Sequence, residues 1–344
     1  MAVELVSRGA QDVYLTGNPE VSFFRQTYKR HTNFAQRTVK LDTMGTLQTN
    51  AEVAVKIPSK GDLLSYVWLD LGSETVDTCG LNGTSETGSA VIELWIGGQL
   101  VDRQDAFFML QHWNKYLLDS SAKGSAASSL GDVTATNWFP LHFFFCDSVY
   151  LPLVALQYHE VEIRFKFASS GDPSGIKFYA NYIMLDTDER AMFANSEHEL
   201  LIEQVQKIGY SGNKFDLTLL NHPVKSLHFS AVSAGTIQDG IQLYLNGTET
   251  FNVPMPIKFF NQVQGYYHSE YANSELSKQD SEIYMYSFAL KANKHQPCGT
   301  CNFSRIDTGA FNVTVSGTAL AYMYAVNFNI LRIKKGLAGL AFSN

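Results

Sequence analysis

Three short segments recur in this chain in the same order, and that recurrence limits the folds open to it more than any other feature. Asp62-Leu-Leu-Ser-Tyr-Val-Trp-Leu resembles His222-Pro-Val-Lys-Ser-Leu-His-Phe. Ile92-Glu-Leu-Trp-Ile-Gly-Gly resembles Ile241-Gln-Leu-Tyr-Leu-Asn-Gly, and Asn181-Tyr-Ile-Met-Leu resembles Asn327-Phe-Asn-Ile-Leu. The second member of each pair follows the first by about 145 to 160 positions, which points to a duplicated domain. A chain of 344 residues is longer than a single core usually supports, so two domains of roughly 150 to 180 residues are expected.

The joint between them is read at Asn181 to Gln206. Tyr182, Ile183, Met184 and Leu185 are consecutive large apolar residues, so the strand they end needs cover on both faces. Asp186 followed three residues later by Glu189 is a capping-box pattern for a short helix through Ala191 to Ala194, which Asn195-Ser196 stops. Leu200, Leu201, Ile202 and Val205 begin a new strand.

Short strands dominate both sides of this joint. Thr38 to Leu41, Val53 to Ile57 and Leu63 to Leu71 read as strands, and Ile92 to Ile96 runs into Gly97-Gly98, a hairpin signal. In Tyr158 to Phe167, Val161, Ile163, Phe165 and Phe167 take one face while Glu160, Glu162, Arg164 and Lys166 take the other. Trp138 to Cys146 and Lys177 to Leu185 are further strands. Ser73 to Ala90 is Gly-, Ser- and Thr-rich and reads as an exposed loop. Asp105 to Leu118 predicts the one longer helix of the first half, with Phe108, Leu110, Trp113 and Leu117 on a core face. Two domains of about eight antiparallel strands each suggest sandwiches of the jelly-roll type.

The net charge of −7 argues against a chain whose main task is gripping nucleic acid, although basic residues outnumber acidic ones in the first 40 positions. Charged residues make up 17%, with 23 Phe and 17 Tyr. That balance suits a β-rich protein that hides outer surface against neighbours. Four cysteines are too few for a disulfide scaffold and fit a reducing compartment. The first residues lack a signal-peptide pattern, and no apolar run approaches the roughly 20 residues that span a bilayer. A soluble chain is expected.

Catalytic and metal motifs are absent. His295, Cys298 and Cys301 form H-x-x-C-G-T-C, but neither Cys79 nor Cys146 supplies a second close pair for zinc. His198-Glu199 lacks the second histidine of H-E-x-x-H, because position 202 is Ile. No phosphate loop, G-x-S-x-G elbow or His-x-His pair occurs. No catalytic, cofactor or metal residue is assigned. Of the N-x-S/T sites at Asn82, Asn246, Asn302 and Asn312, only Asn82, in the polar loop, is expected to be exposed and open to glycosylation.

Six longer stretches add a resemblance to a family. GAQDVYLTGNPEVSFFRQTYKRHTNFA (9–35), ELWIGGQLVDRQ (93–104), LPLVALQYHEVEI (151–163), YIMLDTDERAMFANSEHELLIEQVQ (182–206), SFALKANKHQPCGTCNFSRID (287–307) and YAVNFNILRIKKGLAGLAFSN (324–344) closely resemble the major capsid proteins of large icosahedral DNA viruses, the algal-virus kind in particular. The resemblance runs from end to end. It implies an all-β double jelly roll, two tandem eight-stranded antiparallel barrels with short helices in loops, divided as an arm (1–33), a first roll (34–195) and a second (196–344). It implies a structural virion protein, not an enzyme, that joins in threes as a capsomer of pseudo-sixfold outline. Partners would be its own copies, neighbouring capsomers and minor capsid proteins beneath the shell, near but not in the internal membrane and without direct nucleic-acid contact. Synthesis would take place in the host cytoplasm. The arm, with Tyr14, Phe23, Phe24, Arg25, Tyr28 and Arg30 as capsid-floor contacts, would lie under the shell. The chain is short for that family, and Ser230 to Ile241 is briefer than the outward loops usual there. Two other roles share the fold class: a minor double-jelly-roll paralogue at special capsid positions, and a sandwich that binds host glycans.

Overall fold

The computed structural model describes residues 3–83, 85–120, 123, 137–146, 149–231, 236–270, 283–316 and 322–343. It divides into two units, Met1–Asn33 and Phe34–Asn344. In the first, the described residues form two short helical turns, Val3–Val6 and Val13–Thr16.

The larger unit begins with ten strands. They are β1 (Phe34–Leu41), β2 (Thr43–Met44), β3 (Glu52–Ile57), β4 (Leu63–Asp70), β5 (Val91–Ile96), β6 (Gln99–Asp105), β7 (Trp138–Pro140), β8 (Leu151–Pro152), β9 (Val161–Lys166) and β10 (Lys177–Leu185). Twelve more follow: β11 (His198–Ser211), β12 (Lys214–Asp216), β13 (Pro223–Ser230), β14 (Thr236–Ile237), β15 (Gln242–Leu245), β16 (Thr248–Glu249), β17 (Ile283–Ser287), β18 (Cys301–Asn302), β19 (Gly309–Asn312), β20 (Val315–Ser316), β21 (Tyr322–Lys334) and β22 (Leu337–Leu340).

Sheet order makes the duplication explicit. One first-half sheet runs β1-β10-β4-β7 and the other contains β3-β9-β5-β6; in the second half the paths are β11-β21-β13-β17 and β12-β19-β15-β16. All pairings are antiparallel. The repetition extends to an irregularity. Between Leu64 and Val67 β4 holds one more residue than β10 opposite it, and between Val224 and Ser226 β13 holds one more than β21. These are β-bulges at corresponding points. The hairpin turns also correspond: Gly97 and Gly98 have φ of 59° and 79°, Asn246 and Gly247 of 51° and 75°, the left-handed pair that a two-residue turn requires.

Alternation in β9 behaves as its sequence demands, with Val161, Ile163 and Phe165 buried. Two expectations need correction. Trp138 to Cys146 is a strand only over Trp138–Pro140; Pro140 has no amide hydrogen for a ladder, and the chain then folds into a turn closed by Cys146 N donating to Phe143 O at 2.8 Å. The loop Ser73 to Ala90 is not exposed throughout, since Val76, Cys79, Leu81 and Glu86 are buried. The joint helix forms where expected, Thr187–Asn195, with Asp186 accepting from Thr187 N and Ser196 as its C-cap.

Apolar packing forms two clusters, and their boundary is informative. Along β21, Met323 and Ala325 belong to the second-half cluster, while Tyr324 and Val326 belong to the cluster centred in the first half. On β17, Tyr284 faces one way and Ile283 and Met285 the other. The sheet β11-β21-β13-β17 is therefore a party wall, with one face turned to its own half and the other to its neighbour.

Candidate functional site: the seam between the two halves

The helix after the β5–β6 hairpin fills the first-half side of this wall. Its segment Phe108–Leu117 is wound as a π-helix, and all ten residues are buried, including Gln111, His112, Asn114 and Lys115. The expectation of a single core face was wrong, because the second half covers the other side. Lys115 Nζ donates to Ile283 O at 3.1 Å, and Tyr116 Oη donates to Ile283 O at 2.8 Å and Asn261 O at 3.0 Å. In return Ser269 Oγ donates to Tyr116 O at 2.8 Å and Asn293 Nδ2 to Leu118 O at 3.0 Å. The His112 ring lies 5.6 Å from both the His228 and Tyr324 rings.

A second set of bonds ties β6 to β11. Asp102 Oδ1 accepts from Val205 N at 3.0 Å, and Gln204 Nε2 donates to Val101 O. Gln204 Oε1 accepts from Asn329 Nδ2 at 2.9 Å. Asp105 accepts from Tyr324 Oη at 3.0 Å and pairs with Lys207. Further along, the β13 bulge carries Lys225, whose buried Nζ lies 2.6 Å from Glu203 Oε1. His295 Nδ1 stands 3.6 Å from the same oxygen. These groups line a cavity of about 90 Å³ with Trp113 and Phe143.

Burial governs the acidities here. It pushes the Asp102 carboxyl up to about 7 and the Glu86 carboxyl up to about 8. It pushes His228 down to about 3, with the Lys225 charge adding to the effect, and His112 well below its usual value. Burial also acts to raise Glu203, but Lys225 and His295 outweigh it and hold that carboxyl below the usual range. Asp102, Glu86, His112 and His228 are all buried. Asp102 accepts from Val205 N and His228 Nε2 meets Ser226 Oγ at 2.9 Å, whereas among the described residues both Glu86 carboxyl oxygens and both His112 ring nitrogens have no hydrogen-bond partner, which keeps these groups neutral in a dry joint.

Of the candidate site residues and motifs singled out from the sequence, His295 lies in the seam. In the unit 3–33, Tyr14, Phe23, Phe24, Arg25, Tyr28 and Arg30 are all exposed. Asn82 is half-buried instead of exposed; it has φ of 49°, and its Nδ2 donates to Thr87 O at 3.4 Å. Thr84, which completes its glycosylation triplet, lies outside the described residues. His295 turns to Glu203, while Cys298 Sγ donates to Lys291 O and accepts from Lys291 N, both at 3.3 Å. Among the described residues no three His, Cys, Asp or Glu side chains are grouped to hold a metal.

Comparison with known proteins assigns this architecture. Residues 22–186 match the family described as major capsid protein N-terminus, and residues 231–339 match the large eukaryotic DNA virus major capsid protein. The chain is 36% identical over 394 residues to the major capsid protein of Pyramimonas orientalis virus, covering 99% of each. It is 31% identical over 445 residues to that of Paramecium bursaria Chlorella virus 1, again covering 99% of each. It superposes on the PBCV-1 VP54 crystal structure with a TM-score of 0.77 and 26% identity, over 94% of this chain and 100% of that one. The Faustovirus major capsid protein, 12% identical with a TM-score of 0.66 over 95% of each chain, shares the fold. Two copies of one sheet order, fused through a buried polar seam, are thus the double jelly roll of these neighbours. The chain belongs to the major capsid proteins of large eukaryotic DNA viruses, structural proteins of the virion capsid.

Proposed function

We propose that copies of this chain associate in threes to form capsomers of pseudo-hexagonal outline, which tile an icosahedral shell. The observation that carries this reading is the repeated sheet order: a cyclic trimer of a chain with two like halves offers six similar sides for lateral packing. The polar seam supports it, because a wall element has to hold its two halves at one angle while neighbours press on both. In the same reading the exposed aromatic and basic residues of the arm, among them Phe23, Phe24, Arg25 and Arg30, meet minor capsid proteins on the inner side of the shell, near the internal membrane. The chain would be made in the host cytoplasm and act only in the assembled particle.

Light scattering of the purified protein tests the reading. A mass of three chains, held over a wide concentration range, is expected; a monomer throughout that range overturns it. Quantifying the proteins of purified particles separates the principal wall protein from a paralogue at special positions, since only the former is the most abundant chain.

A further inference from the structure

Two residues of the seam, Asp105 and Lys207, are held in contact from opposite halves of the chain. Asp105 ends β6, where Ala106 N donating to Ala90 O at 2.9 Å pins the backbone. Lys207 lies on β11 directly opposite Tyr324 of β21, with Tyr322 two residues along on the same face. The ladder thereby seats the lysine between two rings: Nζ stands 3.6 Å from the Tyr322 ring centre and 5.6 Å from that of Tyr324. From there it meets Asp105 Oδ2, the oxygen that also accepts from Tyr324 Oη at 3.0 Å. The Asp105 side chain is buried, and that of Lys207 is one-third exposed.

Glu86 comes to this pair from the loop before β5. Its carboxyl feels the charges of Lys207 and Asp105 and lies beside Ser230 and the Tyr322 backbone. Tyr324 in turn feels both Asp105 and Glu86. Glu86 and Ser230 are buried, and among the described residues neither carboxyl oxygen of Glu86 nor Ser230 Oγ has a hydrogen-bond partner. Folding gains nothing from buried polar atoms left unpaired, so stability does not account for a carboxyl in this place. Burial keeps its proton on up to about pH 8. At neutral pH Glu86 is therefore an undissociated acid beside an amine and a second carboxyl already in contact, the setting in which a side chain can pass protons to and from a reacting centre.

We infer that Asp105 and Lys207 condense into an isopeptide bond, with Glu86 relaying the protons, so that a covalent bridge joins the two halves of the chain. Lys207 first passes one proton to Asp105, leaving a neutral amine against a neutral carboxyl. Nζ attacks Asp105 Cγ; Glu86 protonates the carbonyl oxygen as charge builds on it and takes the surplus proton from the nitrogen. Glu86 then protonates one hydroxyl of the tetrahedral centre, the Cγ–O bond breaks, and the other hydroxyl returns its proton to Glu86. One amine and one carboxyl become one amide and one water, and Glu86 ends as it began. Tyr324 Oη, bonded to Oδ2, is placed to steady the developing negative charge. The groove lined by Arg103, Asp105, Lys207, Tyr322 and Tyr324 gives the water a way out. Amide formation between separate molecules is disfavoured in water, and fixed contact supplies the effective concentration that reverses this. The bridge closes a ring of chain from residue 105 to residue 207 that contains the joint helix, so the halves stay tied even where the seam opens.

Intact-mass measurement on the full chain tests it. After incubation of the folded protein at neutral pH, the native chain should be lighter than its sequence by one water. A tryptic digest should contain residues 104–115 joined to residues 191–214, because trypsin does not cut at an acylated Lys207. The same chain held unfolded in urea should keep its full mass. K207R retains the charge but offers no attacking amine, and should also keep its full mass. E86Q should form the bond more slowly by roughly a hundredfold or more, the loss expected for removing a proton relay. A folded native chain of full sequence mass overturns the inference, as does a lost water that maps to any other pair of residues. Bond formation in E86Q at the native rate overturns the role given to Glu86. The bond lies within one molecule, so a chain that stays monomeric serves the test equally well and the outcome is independent of the trimer.

Discussion

Lys225 and Glu203 form an ion pair at 2.6 Å in which both side chains are buried. The bulge in β13 puts the lysine there, on a strand whose other residues are also almost all covered. Two opposite charges out of water roughly offset their own desolvation, but one left alone is costly.

K225M should therefore destabilise the chain by about 3 to 5 kcal/mol, the range found when one partner of a buried pair is removed. K225M combined with E203L should regain most of that loss. Urea unfolding at pH 7 measures both; equal losses in the single and double variants would show that the charges are not coupled.

Stability should vary with pH in a way set by four buried groups. Unfolded His112 and His228 take up protons below their ordinary value near 6.5, whereas the folded residues stay neutral, so both destabilise the fold as pH falls. Unfolded Glu86 and Asp102 lose protons near 4, while the folded carboxyls hold theirs to about 8 and about 7, so both destabilise it as pH rises. Between about 4.5 and 6.5 the two effects oppose, each group contributing roughly 1.4 kcal/mol per pH unit. Above 6.5 only the carboxylates remain, and stability should decline toward pH 8. E86Q should flatten that decline, and H112F should lose part of the opposing acid-side slope. Melting temperatures from pH 5 to 8 check both, and an unchanged slope in E86Q would refute the assignment.

C298S should leave the melting temperature nearly unchanged, with a stability difference within about 0.5 kcal/mol. The thiol's two bonds to the Lys291 backbone are within a hydroxyl's capacity. Loss of a bound metal from the native protein, with a large drop in melting temperature in the variant, would contradict this.

A chain beginning at residue 31 should fold with the native melting temperature, because both apolar clusters, with the half-buried residues packed on them, lie wholly within residues 39 to 340. An insoluble product would show that the arm completes a core. In the capsid reading the same truncation should reduce shell assembly more than trimer content.

The duplication was legible from the sequence because it rests on strand periodicity and turn chemistry, which local residues determine. Ile92 to Gly98 and Ile241 to Gly247 keep the same pattern, and both form the expected hairpins. The joint at Asp186 was legible for the same reason. The seam was not. Asp102 and Gln204 look like ordinary surface residues because their cover comes from chain about a hundred positions away, and Lys225 does because its cavity is lined by Trp113 and Phe143 of the first half. One signal was present: where the first half has Leu-Leu-Ser-Tyr-Val-Trp at 63–68, the second has Pro-Val-Lys-Ser-Leu-His at 223–228. Polar residues replacing apolar ones on an otherwise apolar strand mark a second buried face, which composition alone cannot separate from exposure.

The two halves differ in how their own sheets are joined. β11 pairs with β21 along most of its length and, at Tyr210 and Ser211, with β12 of the opposite sheet, so one continuous backbone ladder turns the corner of the second sandwich. In the first half the corresponding strand is interrupted at Asp42: β1 pairs with β10 of one sheet, and β2, one residue on, pairs with β3 of the other. Under a pulling force, hydrogen bonds loaded in shear along β11 resist together, while apolar side chains can slide. Under load the corner broken at Asp42 is therefore expected to open before the continuous one at Tyr210.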